Sequence, residues 1–287
     1  EGGGLRRRAV RSAGCEPAGD LLRPRGAEIR AGRGRGAQHD LRGRHLPAGD
    51  QGPRGSGQDA QAGGTWLGID PVHGRWGVIL NYREIIKDKP VFATSRGQLI
   101  LDYLSGEWSP LAFARQIDLP CYDGFNLVIG DRQQAVLLNN KGYGIEVLAK
   151  GLYVLSNGQP NTAWFKTEKL RRRVRQELLP LLAGHEDWQP LAFEILQDRE
   201  QAPITQLPDT GLGIERELAL SSIFIPANRL DKLLGSSYGT RVSSLLTITH
   251  TGFDMQEKNL ENDTIIRITP DVNATDRKST RLNSSHL

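Results

Sequence analysis

The sequence predicts an α+β fold, and three observations predict it. Apolar runs of strand length come in pairs from Thr65 onward, apolar residues recur at helical spacing from Thr167, and strand-like runs return after residue 219. Strand pairs, then helices, then strand pairs imply sheets covered by helices.

In chain order, 65–69 and Arg75–Asn81 are short apolar runs separated by a turn containing Pro71, His73 and Gly74. The stretch 96–104 places Leu99, Ile100 and Tyr103 on one face of a helix. Four more strands are expected at 125–131, Ala135–Asn139, 145–149 and 152–155, joined by turns containing Gly, Asn and Asp. The period then changes. Leu170, Val174, Leu178, Leu181 and Leu182 define a helix, with Arg171-Arg172-Arg173 on its opposite face. A solvated face accounts for that run better than a phosphate patch. A second helix is expected over 188–196, and strands over 220–225, 240–250 and 263–269.

Composition breaks just before Gly63. Residues 1–60 are rich in Arg, Gly and Ala, with no Lys and no aromatic residue. One reading is a disordered Arg/Gly arm that binds RNA. Against it, no RGG unit repeats and no Phe or Tyr is interleaved to stack on bases. The second reading, which the composition favours, is a GC-rich coding region read out of frame. At the far end, 276–287 resembles a translated sequencing adapter and is set aside as a non-native tail. The expected organisation is therefore 1–61 disordered or out of frame, 62–275 one folded domain, and 276–287 foreign.

Charge follows the same division. The chain is +4; 12 Arg against 7 acidic residues place +5 on 1–60, and the tail adds +2, which leaves 61–275 at −3. The basic charge sits at the ends, so nucleic acid is not expected as a partner of the domain. No apolar run reaches membrane-spanning length, so no membrane insertion is expected. With only Cys15 and Cys121, no disulfide framework is expected, and the cytoplasm is the expected compartment. Cys121 reads as a small buried side chain. His73, His185 and His250 read as surface or turn residues, because none has a ligand partner nearby in sequence.

Several segments are more specific as an ordered set than any one of them alone. They are Gly63-Gly64-Thr65-Trp66-Leu67-Gly68, Leu80-Asn81-Tyr82-Arg83-Glu84, Ser95-Arg96-Gly97-Gln98-Leu99 and Tyr122-Asp123-Gly124-Phe125-Asn126-Leu127. Leu155-Ser156-Asn157 with Trp164 and Lys166 follows, and then Ser237-Tyr238-Gly239-Thr240-Arg241. In this order the set resembles the NRDE family, also called the transport and Golgi organisation 2 family, over residues 62–253. The resemblance implies a four-layer αββα sandwich of N-terminal-nucleophile hydrolase type. In such folds an N-terminal Cys attacks an amide, with its own α-amino group as base. By comparison with the related bile-acid and penicillin V hydrolases, the matching site positions are Asn81, Asn157 and Arg241. Asparagines there would donate to the oxyanion, and an Arg would favour the thiolate. Their structural alternatives are a strand-end cap, a turn residue and a surface ion-pair partner.

The departures from the family weigh equally. Residue 1 is Glu, and no Asn-Arg-Asp-Glu lies upstream of Gly63. Cys15-Glu16-Pro17 is what Ala-Asn-Arg codons give when read two bases late. The chain as it stands is thus expected to lack its nucleophile and first strand, and to be inactive and less stable. The resemblance links the family to secretory organisation, haem trafficking and lipid or acyl-CoA homeostasis. Two functions follow as expectations: an amidase-like hydrolase acting on a small-molecule amide, or a non-enzymatic haem or lipid handling protein. No cofactor is required by either, haem enters as a possible transported ligand, and the oligomeric state stays open.

Overall fold

A computed structural model of the chain describes residues 65–85, 94–226, 238–249 and 252–269. The segment 1–60, the tail 276–287, Gly63, Gly64, Ser237 and His250 lie outside them. The described residues form a mixed α+β structure with two antiparallel sheets, and the chain divides into two compact units.

The first unit carries a five-stranded sheet of order β1-β2-β3-β4-β5: β1 (Leu67–Asp70), β2 (Arg75–Asn81), β3 (Phe125–Gly130), β4 (Ala135–Asn139) and β5 (Gly144–Val147). Every position of β3 is buried, which is why it reads as a continuous apolar run and not as an alternation. The register pairs Ile79 with Leu127 and Leu127 with Leu138, stacking apolar side chains across the sheet. Helix α1 (Gln98–Ser105) buries Leu99, Ile100, Tyr103 and Leu104 and packs on β1 and β2. Gly68 and Gly77 are register partners beneath it. A Cβ on Gly68 would lie 2.7 Å from Leu104, and one on Gly77 would lie 2.9 Å from Ile100, so the close approach of the helix requires both glycines. Helix α2 (Pro110–Gln116) was not expected from the sequence. Ser109 Oγ accepts from Ala112 N at 3.3 Å, Pro110 opens the helix, and Phe113 packs 5.3 Å from the Tyr103 ring.

Two of the sequence motifs are explained by this architecture. Arg96 donates to the Gly124 carbonyl at 2.9 Å and sits 3.2 Å from the Asp123 carboxylate. Asn140 accepts from Phe125 N at 2.8 Å and donates to the carbonyls of Tyr122 and Asp123. Asn126 and Asn139 face each other in register, and Asn139 Nδ2 donates to Asn126 Oδ1 at 2.7 Å. Asn139 Oδ1 in turn accepts from the backbone N–H groups of Lys141 and Tyr143, so this buried amide pair is hydrogen-bonded as burial demands. Cys121 is buried as expected, at 1% exposed. Its sulfur is part of a disulfide.

The second unit takes Pro71–Gly74, Arg83–Ile85 and the chain from Lys150 onward. The expected helix from Thr167 forms as α3 (Phe165–Arg173) and α4 (Leu179–Ala183), joined through a π-helical turn at Val174–Leu178. Helix α5 (Gln189–Leu196) follows, with Trp188 as its N-cap, and then α6 (Ile214–Ala219). A three-stranded sheet of order β6-β7-β8 closes the unit: β6 (Val242–Ile248), β7 (Phe253–Asn259) and β8 (Thr264–Ile268).

Three expectations are corrected here. Residues 152–155 and 220–225 form no ladder and are not strands. Their apolar side chains instead line a groove in the first case and pack beside α6 in the second, with Leu220 and Ile225 in one cluster with Ala219. The Arg171-Arg172-Arg173 run is not simply solvated. Arg173 is 18% exposed and reaches Glu177 at 2.7 Å, Glu194 at 3.1 Å and Asp198 at 3.6 Å, tying α3 to α5 and the residues beyond it. Lys169 joins the same network through Asp198 at 2.6 Å.

Candidate functional site

Asn81 ends β2 and is exposed, opposite Phe125 in the register. It belongs to the first unit, whereas Asn157 and Arg241 belong to the second. Asn157 is half-buried in the loop before α3, and its carbonyl accepts from Arg83 N at 2.5 Å. Arg241 precedes β6; its side chain is 60% exposed and its Nε lies 4.0 Å from Glu261. At that exposure and distance the pair contributes little to stability.

The structure assembles a different polar cluster within the second unit, around Arg83. Arg83 Nη1 donates to Glu217 Oε2 at 2.9 Å, and the two side chains are only 10% and 3% exposed. The other Glu217 oxygen accepts from the backbone N–H of Thr210 at 3.0 Å and from the Thr210 hydroxyl. The Arg83 guanidinium lies 5.0 Å from the centroid of the Trp164 ring, and Lys166 Nζ lies 5.5 Å from it. Lys166 also donates to the Leu220 carbonyl at 3.2 Å. Trp164 is held from behind by Gly158, where a Cβ would come within 2.7 Å of the indole. Arg83, Trp164, Lys166 and Leu220 line a crevice of about 10 Å³, room for one water molecule.

Arg83, Trp164 and Lys166 lie inside the sequence motifs, which by themselves assign them no role. Cationic residues beside a Trp, in two motifs that each follow an Asn, were the available signal. Glu217 carried none.

Electrostatics sharpen the cluster. Burial, with the Arg83 charge adding to it and Glu217 opposing, pulls the Lys166 ammonium down to about 7. The consequence for stability has a definite sign. Between about pH 7 and the ordinary lysine range, the unfolded chain holds a proton on Lys166 that the folded chain does not. Stability should therefore rise with pH from about 7 to 10. Urea denaturation across that window checks it, and Lys166→Met should flatten the slope.

The second unit also holds a groove of about 300 Å³ whose walls are mainly aliphatic. Leu152, Val154 and Leu155 form one wall, and Leu170, Val174 and Leu178 form another. Val174 and Leu178 bound the π-helical turn, a local widening often found where a helix borders a binding site. Trp188, Ala192 and Ile195 of the α5 segment and Leu245 of β6 complete the lining. A larger cleft of about 570 Å³ beside α5 is lined by both polar and apolar side chains, and its cations are already matched: Arg267 by Asp254 at 2.6 Å and Lys258 by Asp263 at 2.8 Å.

Among the described residues no group of three or more His, Cys, Asp or Glu could hold a metal ion, and His73 and His185 are exposed. No helix among them is long and apolar enough to cross a membrane. No curated protein matches the chain. The model of the transport and Golgi organisation 2 family matches residues 52–262, well over half the sequence and including every motif quoted above. The chain belongs to the transport and Golgi organisation 2 family.

Proposed function

We propose that this chain is a non-enzymatic lipid handling protein that holds one acyl chain, free or as an acyl-CoA thioester, in the aliphatic groove of its second unit. The observation that carries the reading is the groove itself. Its volume of about 300 Å³ falls at the lower end of small-molecule sites, and its walls are apolar with Ser244 among the few polar groups. Haem fits less well: no His, Cys or Met lines the groove, and Tyr153 is the one side chain there able to serve as an axial ligand. Displacement of a fluorescent fatty-acid analogue by palmitate is the test. Leu170→Asp should weaken binding at least tenfold, about 1.4 kcal/mol, because the carboxylate must be desolvated against the chain. An unchanged affinity in a folded L170D protein, or no displacement at all, sinks the reading.

The amide-hydrolase reading stands second. It would place Asn81, Asn157 and Arg241 around an N-terminal Cys in a four-layer αββα arrangement. The exposure of the Arg241 guanidinium, open to an anionic group, favours it. Electrophile labelling of an N-terminal Cys together with amide turnover in a frame-restored protein would support it, and labelling without turnover would leave it unsupported.

A further inference from the structure

We propose that the aliphatic groove of the second unit measures chain length: it takes up about ten to twelve carbons, methyl end first, and leaves the head group in water. The inference rests on the acyl-binding reading of that groove and adds the class of ligand to it. The ligand is a medium-length aliphatic chain, or the same stretch of a longer one, whatever head it carries.

Volume sets the length. An apolar cavity of about 150 Å³ holds one benzene ring. The groove offers about 300 Å³, which corresponds to about ten to twelve carbons. A longer chain still binds, but its further carbons stay in water and add nothing. Each methylene that enters should strengthen binding by about two- to fourfold, the upper figure for full burial and the lower for a groove open along one side. Tyr153, at 42% exposed, marks that open side.

Charge keeps the head outside. Among the described residues that line the groove none is Lys, Arg or His, and Tyr153, Trp188 and Ser244 carry its polar side-chain atoms. The Ser244 hydroxyl already donates to the Glu257 carboxylate at 3.3 Å, so the charge it adjoins is negative. A carboxylate or phosphate drawn into the groove would lose its water and meet no cation in return. Different heads on one chain should therefore bind alike. Ala192, 4% exposed, lines the groove from α5, and leucine in its place would fill the space of about three carbons.

The experiment displaces a fluorescent fatty-acid analogue from the full chain with saturated acids from octanoate to stearate, and with dodecyl maltoside, all below their micelle concentrations. Affinity should rise at least about tenfold from octanoate to dodecanoate and then change by less than about twofold up to stearate. Dodecyl maltoside should match dodecanoate within about threefold, since neither head enters. In Ala192→Leu the break should come about three carbons earlier. The wild-type series needs no variant, so misfolding of A192L leaves the test intact. An affinity that keeps climbing to stearate, a preference of about tenfold or more for one head, or a break that folded A192L does not move overturns the proposal and leaves acyl binding standing. Displacement by no member of the series removes the acyl-binding reading, and this inference with it.

Discussion

Replacing Glu217 with Ala should destabilise the protein by about 3–5 kcal/mol, because it leaves Arg83 buried without its counter-charge. The Arg83 and Glu217 side chains are 10% and 3% exposed and meet at 2.9 Å, so little water is available to replace the carboxylate. The substitution also removes the acceptor of the Thr210 N–H and hydroxyl. Burial already works against the Arg83 charge, with Glu217 opposing it. A double variant, Arg83→Met with Glu217→Met, should recover much of the loss, since an apolar pair of similar volume avoids the desolvation cost. Urea denaturation of the two variants beside the wild type decides the matter. A single-site loss below about 1 kcal/mol would mean the pair behaves as a surface bridge.

The second large effect lies in the first unit. Phe125→Ala should cost about 3–5 kcal/mol by removing buried aromatic surface and opening a cavity. Phe125 is 0% exposed, starts the fully buried strand β3, and meets Tyr122 edge-on at 6.2 Å. It belongs to the cluster that joins α1, α2 and the sheet through Ile100, Phe113, Leu127 and Leu138. Ile145→Ala on β5 is the control: at 40% exposed it should change stability by no more than about 0.5 kcal/mol. Equal losses in the two variants would remove the argument from packing.

What the sequence made legible follows from where the forces are local. β2 and β4 fall on their expected residues, Arg75–Asn81 and Ala135–Asn139, because each is an apolar run closed by a turn signal. The segments 152–155 and 220–225 show the same β-rich composition but no ladder, since composition reports burial and not who the hydrogen-bond partner is. β7, Phe253–Asn259, was missed for the opposite reason: only Phe253 and Met255 are buried, and the remainder is polar. Helix α2 was within reach, because Ser109-Pro110 is a start signal. The polar cluster was not. Arg83 and Glu217 lie 134 residues apart, and no local pattern carries a pairing over that distance.

Both sheets are meanders in which each strand bonds only to strands next to it in chain order. That arrangement has a kinetic meaning. Hairpins such as β3–β4 and β7–β8 close over a few residues, and they can form on the microsecond scale without waiting for distant chain. The exception is β2 with β3, whose pairing must span residues 82–124. Loop closure there carries the largest entropic cost in the first sheet. The contacts of α1 with β2 shorten the effective loop before β3 arrives. The rate of folding should therefore be more sensitive to Ile100, which sits over Gly77, than to any residue of the β4–β5 hairpin.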